Sequence, residues 1–180
     1  MAKVMIHATV SLDGFMADES GGMDWMSGFP VVPADEALVA GLIEELGAVV
    51  GGANRSQTIE EGETPYGGIA GVPVFLMTRS PREPIEKHGV TYSFVVDDVA
   101  EAVAAARQAA GEKWVSVLGG TIARQCLEQG LVDEIVLHVA PVVLGKGIPL
   151  LAGLSTPLTL ERLDTSAFAG EVHLRYRVLA

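Results

Sequence analysis

Cysteine is almost missing. Cys126 is the only one in 180 residues, so no intrachain disulfide can form and no cysteine cluster can hold zinc. It falls among Ile122, Leu127 and Leu131 within a stretch of helical spacing, where a free thiol behaves as a small hydrophobe rather than a nucleophile. Cations are scarce as well. Twelve Lys and Arg stand against 23 Asp and Glu, a formal charge of −11. Such a surface repels nucleic acid and anionic membranes, so neither is expected as a partner, and a bound anion needs a local site that overrides the overall field. Long apolar runs are also missing. The N-terminal MAKVMIHATVSLDGFM has no uninterrupted run suited to a signal peptide, and nothing reaches the roughly 18 residues of a spanning helix. The expected location is the cytoplasm.

The longer phosphate fingerprints are absent too. Neither GxGxxG nor GxxxxGK[ST] occurs, and GKG at 145–147 lacks the spacing of a P-loop and reads as a turn. No GxSxG elbow presents a nucleophile. The four histidines, His7, His88, His138 and His173, show no mutual spacing that suggests metal ligation, so no metal is expected. His7 and His138 lie in apolar strands and read as satisfied core residues.

What is present is a globular composition, 49% hydrophobic, in a chain of the length of one domain, 1–180. Strand and helix patterns alternate along it. Lys3 to Val10 reads as a strand closed by the turn SLDG; Ala34 to Leu46 carries Leu38, Val39, Leu42, Ile43 and Leu46 at helical spacing. AVVGG, then GVPVFLMTRSP, entered by Pro73 and stopped by Pro81, and VTYSFVV follow as strands. Asp98 is an N-cap with Glu101 three residues on, for a helix that stops at Gly111. WVSVL is a strand, and Thr121 is read as the cap of the next helix, which ends at Gly130. EIVLHVAPVVLG reads as a long apolar strand, and Leu158 to Leu179 as two strands joined around DTSAFAGE. The pattern predicts an α/β three-layer sandwich, its central sheet mostly parallel, with antiparallel strands at the C-terminal end.

In such sheets ligands bind beyond the carboxyl ends of the strands. Four segments fall there: SLDG, GGANRS, TRSP and GGTIAR. Gly119-Gly120-Thr121 allows two readings, a tight strand-to-helix turn or a place where phosphates meet bare N–H groups at a helix N-terminus. Arg79 between Thr78 and Ser80 suits planar recognition of a phosphate, or is an exposed arginine in a turn. Gly51 to Ser56 is either a phosphate-receiving segment or an ordinary loop. Met23 and Trp25 could flank a flat substrate or anchor a loop.

With ATVSLDGFMA, VVGGANRS, VFLMTRSP, VSVLGGTIARQCLEQGLVDEI and HVAPVVLGKGIPLL in place, nearly the whole chain resembles the dihydrofolate reductase-like superfamily, and most closely the reductase domain of bifunctional riboflavin-biosynthesis deaminase-reductases. The resemblance implies an NADPH-dependent reductase, usually a homodimer, acting on a small and cyclic substrate. It implies that Ala8 and Gly14 border the nicotinamide. Gly51, Gly52, Ala53, Asn54 and Arg55 would match the segment beside the pyrophosphate, and Thr78, Arg79 and Ser80 the one around the ribose 2′-phosphate. Leu118, Gly119, Gly120, Thr121, Ile122 and Ala123 would match the diphosphate loop, whose Gly-Gly peptide is often cis in that superfamily. Trp25 and Asp35 are the candidates for substrate contact, and Asp13 is a possible proton relay alongside water. Relatives usually read Gly-Arg-x-Thr where this chain has Gly51-Gly52-Ala53-Asn54-Arg55, so its arginine has moved or been lost. A non-catalytic nucleotide-binding or sensing protein is the rival expectation.

Overall fold

The computed structural model describes residues 1–30, 32–53, 71–168 and 170–179. Strand β1 (Val4–Ser11) runs near the middle of a nine-stranded sheet, flanked by β7 (Trp114–Val117) and β8 (Glu134–Ala140), both parallel to it. Beyond β7 come β3 (Leu46–Gly52), β4 (Val74–Thr78) and β6 (Val90–Val96), again parallel, and then the short edge strand β5 (Ile85–Lys87). Beyond β8 the direction changes: β11 (Val172–Val178) and the edge strand β10 (Leu160–Ala167) are antiparallel. A separate two-stranded ribbon pairs β2 (Phe15–Ala17) with β9 (Ile148–Pro149).

Side-chain alternation along β1 divides the molecule into layers. Val4, Ile6 and Val10 face a core shared with helices α2 (Val99–Ala110) and α3 (Gly120–Glu128). Met5 faces the opposite layer, where Leu42 and Ile43 of helix α1 (Pro33–Glu44) pack. A strand buried on both faces must be apolar on both, which is why β1, β3 and β8 read as continuous hydrophobic runs. Trp114 ties the layers at one point: its indole Nε1 donates to the carbonyl of Leu42 at 2.8 Å.

Several expectations need correction. Gly119, at φ 89°, holds the position before the first turn of α3 without a side chain to cap it, and Thr121 already lies inside the helix. β8 stops at Ala140, because Pro141 has no N–H to donate to the ladder. β5 was not anticipated. It turns into β6 through His88 and Gly89, both at positive φ (52° and 75°), the backbone that a two-residue hairpin with right-handed strand twist requires. No peptide bond among the described residues is cis, the one between Gly119 and Gly120 included. Among the described residues no helix is long and apolar enough to cross a membrane.

Candidate functional site

Because β1, β7, β3 and β4 are parallel neighbours, their carboxyl ends fall along one edge. There the segments singled out in the sequence meet. Leu118 N donates to Val50 O at 2.8 Å, and Leu150 N to Gly14 O at 3.2 Å. A Cβ on Gly51 would lie 3.8 Å from the Leu118 carbonyl, and one on Gly52 3.7 Å from Ile122 Cγ1. Gly14, Gly51, Gly52, Leu118 and Ile122 therefore share one patch. Ile122 and Ala123 are buried in the core, so they offer backbone alone. Ala8 packs against the core on the α2–α3 side, and Ala53 against that on the α1 side. Asn54 and Arg55 lie outside the described residues.

The two glycines at the start of α3 have separate physical reasons. Gly119 takes a left-handed φ with open space around it. Gly120 has ordinary φ, yet a Cβ there would meet the backbone of Pro149 and Leu150. No side chain caps the helix, and its first backbone bond runs from Ala123 N to Gly119 O at 2.9 Å. The N–H groups of Gly120, Thr121 and Ile122 precede that bond, and donors of this kind, with the helix dipole behind them, attract anions.

At the end of β4, the Thr78 hydroxyl accepts from Ser80 N (3.2 Å) and donates to Ser80 O (3.1 Å), a closed local turn. Between them Arg79 is exposed and makes no ion pair among the described residues.

Asp13 is a latch. Its Oδ1 accepts from Ser11 Oγ (2.6 Å) and Leu144 N (3.1 Å), and its Oδ2 from Gly145 N (2.7 Å). Those bonds, the one from Ser11 foremost, hold its carboxyl below the ordinary range. Such a carboxylate only accepts hydrogen bonds at neutral pH and has no proton of its own to give. Trp25 lies in a 3-10 turn (Asp24–Gly28) with its ring 6.4 Å from that of Phe29, and its Nε1 is buried without a partner among the described residues.

The largest surprise is on the α1 side of the sheet, where three of the four histidines form a chain ending on Asp35. His7 Nε2 lies 2.7 Å from His138 Nε2, His138 Nδ1 lies 2.5 Å from His173 Nδ1, and His173 Nε2 lies 2.7 Å from Asp35 Oδ1. His138 and His173 are directly opposite across the β8–β11 ladder. Asp35, in the first turn of α1, accepts from Val32 N with its other oxygen at 2.9 Å, so both oxygens are taken by the chain's own groups. Burial raises the Asp35 carboxyl, but its bonds to Val32 and His173 and the charges of His173 and His138 outweigh this and leave it lowered. Burial pushes His7 down to about 4. His138 is pushed down to about 3, by burial first and then by the neighbouring rings, against the opposing pull of Asp35. Glu171 joins this cluster, buried and raised in pKa by burial, by more than its attraction to His173 offsets. Sequence spacing misses the group, because its members come from four different elements.

A concavity lined by Met1, Ala2, Val103, Arg107 and Leu131 lies at the amino-terminal end of β1, away from the strand-end patch.

The family model described as the RibD C-terminal domain matches residues 2–174. The uncharacterized protein YwjB of Bacillus subtilis (strain 168) is 26% identical over 175 residues, covering 97% of each chain. Among solved structures, a protein of Shewanella sp. PV-4 provisionally placed in riboflavin biosynthesis superposes with a TM-score of 0.81 at 22% identity, over 100% of both chains. Dihydrofolate reductase from Enterococcus faecalis, in complex with NADP(H), superposes with a TM-score of 0.63 at 11% identity, over 98% of this chain and 96% of that one. At these identities the structural likeness shows the fold: a dihydrofolate reductase-like α/β sandwich.

Proposed function

The chain belongs to the RibD C-terminal domain family, and from that premise we propose that it is an NADPH-dependent reductase of a small heterocyclic substrate, working as a homodimer. The observation that carries the reading is the strand-end patch: an uncapped helix N-terminus at Gly119–Ile122, with open space at Gly119, beside Gly14, Gly51 and Gly52 and one strand-end from the free guanidinium of Arg79. Unpaired N–H donors fit a diphosphate, and a planar cation fits a ribose 2′-phosphate. When bound, the cofactor supplies a hydride from its nicotinamide to a C=N or C=O carbon.

The chain's part is to hold and orient the reactants. Residues 120–122 present backbone donors, Arg79 presents charge against the overall −11, and Asp13 fixes the 144–145 segment beside Gly14. Since Asp13 is held ionised, it is not the donor of the proton that accompanies hydride. One observation favours a second reading, nucleotide binding without turnover. Asp35 is fully buried, its two oxygens turned to His173 and Val32, which keeps that carboxylate out of reach of a substrate.

Calorimetric titration with NADPH and NADH tests the cofactor, using wild type and Arg79→Ala. The expected result is a preference for NADPH, with the arginine change weakening NADPH about tenfold or more and NADH little, as the loss of one charge-assisted bond predicts. Failure of either nucleotide to bind at tens of micromolar overturns the reading. Binding without oxidation across pterins, ribosylaminopyrimidines and quinones selects the non-catalytic alternative. Sedimentation velocity reads the dimer.

A further inference from the structure

We propose that His138, His173 and Glu171 form a binding site for a divalent cation of the zinc class, with Nδ1 of each ring and the Glu171 carboxylate as ligands.

The three donor atoms lie within 4.8 Å of one another and all three residues are buried. Both rings are already oriented for the task. His173 is held at its far nitrogen by Asp35, and His138 at its far nitrogen by His7, which leaves the two Nδ1 atoms facing each other. An imidazole anchored through its other nitrogen, by a carboxylate above all, is the usual second layer around a bound metal. Two neutral rings and one carboxylate are a donor set that zinc and the neighbouring first-row ions accept, with a fourth position open.

Charge supports an ion more strongly than a proton. Asp35 and Glu171 place two carboxylates in the same interior cluster, and the Glu171 side chain has no hydrogen-bond or ion-pair partner among the described residues, its backbone carbonyl alone accepting from Phe168 N. One protonated ring would neutralise one of them; a dication neutralises both. Asp35 is already held by Val32 and His173, so the carboxylate left without compensation is that of Glu171, and a buried charge in that state is costly. The Nδ1 atoms now stand 2.5 Å apart, closer than the about 3.3 Å that metal–nitrogen bonds of 2.0–2.1 Å in a tetrahedron require. Ion entry therefore moves them apart by less than 1 Å, within reach of side-chain rotation. An ion here would pin the start of β11 to the end of β8 and, through Asp35, to the first turn of α1. The site stands on the α1 face of the sheet and does not depend on the reductase reading.

The test is titration of the metal-free protein with Co²⁺, followed by visible absorption. The expected result is one equivalent bound with the intense bands of a four-coordinate, nitrogen-containing site, displaced by Zn²⁺. Glu171→Gln and His173→Asn should abolish those bands, and Asp35→Asn should weaken binding about 10–100-fold, the effect typical of a lost outer partner. Each variant is checked by circular dichroism and cooperative melting, so that misfolding is not scored as loss of a ligand. A Zn²⁺-dependent rise in wild-type Tm, expected for an ion that binds the native state, needs no variant. Absence of both the bands and the Tm rise in wild type overturns the proposal. So does weak octahedral absorption unchanged by Glu171→Gln, the mark of ions held on the acidic surface. NADPH titration of the same samples reports separately on the cofactor reading.

Discussion

The carbonyl of Pro149 lies over Gly120, where a Cβ would stand 2.5 Å from its oxygen. The chain's own backbone thus dictates this glycine, while Gly119 beside it answers to its φ of 89°. Gly120→Ala must displace the β9 segment and is expected to cost about 1–3 kcal/mol as overpacking. Gly119→Ala meets nothing and should cost about 1–2 kcal/mol, the strain of a left-handed residue. Urea melts read both. A neutral Gly120→Ala would show that the close approach is not enforced.

Asp13 joins the turn after β1 to Leu144 and Gly145. Asp13→Ala is expected to speed hydrogen exchange at the amides of Leu144 and Gly145 and to leave those of β8 unchanged. Unaltered exchange at the two amides would remove the latch role. If the protein turns over substrate, any fall in activity with rising pH should persist in the variant, since an ionised carboxylate is not the proton donor whose loss such a fall reports.

Glu134 is buried between two cations, Lys3 at 2.6 Å and Arg175 at 2.6 Å. Burial raises its carboxyl, but the bonds and charges of Lys3 and Arg175 prevail and hold it below the ordinary range. A lowered folded-state pKa gives stability that is present above the unfolded-state value and is lost as pH falls through the folded one. Glu134→Gln should therefore destabilise by about 1–3 kcal/mol near neutrality, at the lower end because both cations are partly solvated. The gap from wild type should close as pH falls below the glutamate range. Denaturant melts at pH 7 and in the acid range decide this. A gap independent of pH would assign the loss to packing.

Cys126 is fully buried in α3, and burial pushes its thiol up to about 12. The thiolate is the reactive form, so a thiol reagent at mildly alkaline pH should modify the protein only as fast as it unfolds. Modification of the native state at the rate of a free thiol would show that the helix opens locally.

Local pattern was enough for much of the fold. Asp98 accepts from Glu101 N at 3.0 Å, as the spacing of the two residues predicts, and Gly111 ends α2 at φ 64°. The alternation of strands and helices implies parallel pairing, and with it the convergence of SLDG, GGA, TRS and GGT on one sheet edge. The hairpin at His88-Gly89 was legible in principle, as a two-residue turn between short strands, but its first strand is only three residues long.

The sequence by itself determined the layers and the edge, because hydrophobic period and turn chemistry are properties of neighbouring residues. Only the tertiary structure decided the company of His7, His138, His173, Asp35 and Glu171. His7 and His138 are 131 positions apart, and His173 and Asp35 are 138 apart. Their contact depends on strand order and register, since a slip of one residue would turn each ring to the other face of the sheet. No local pattern encodes register between strands so distant in the chain. It is set by packing both faces at once, with Val4, Ile6 and Val10 filling one core and Met5 the other.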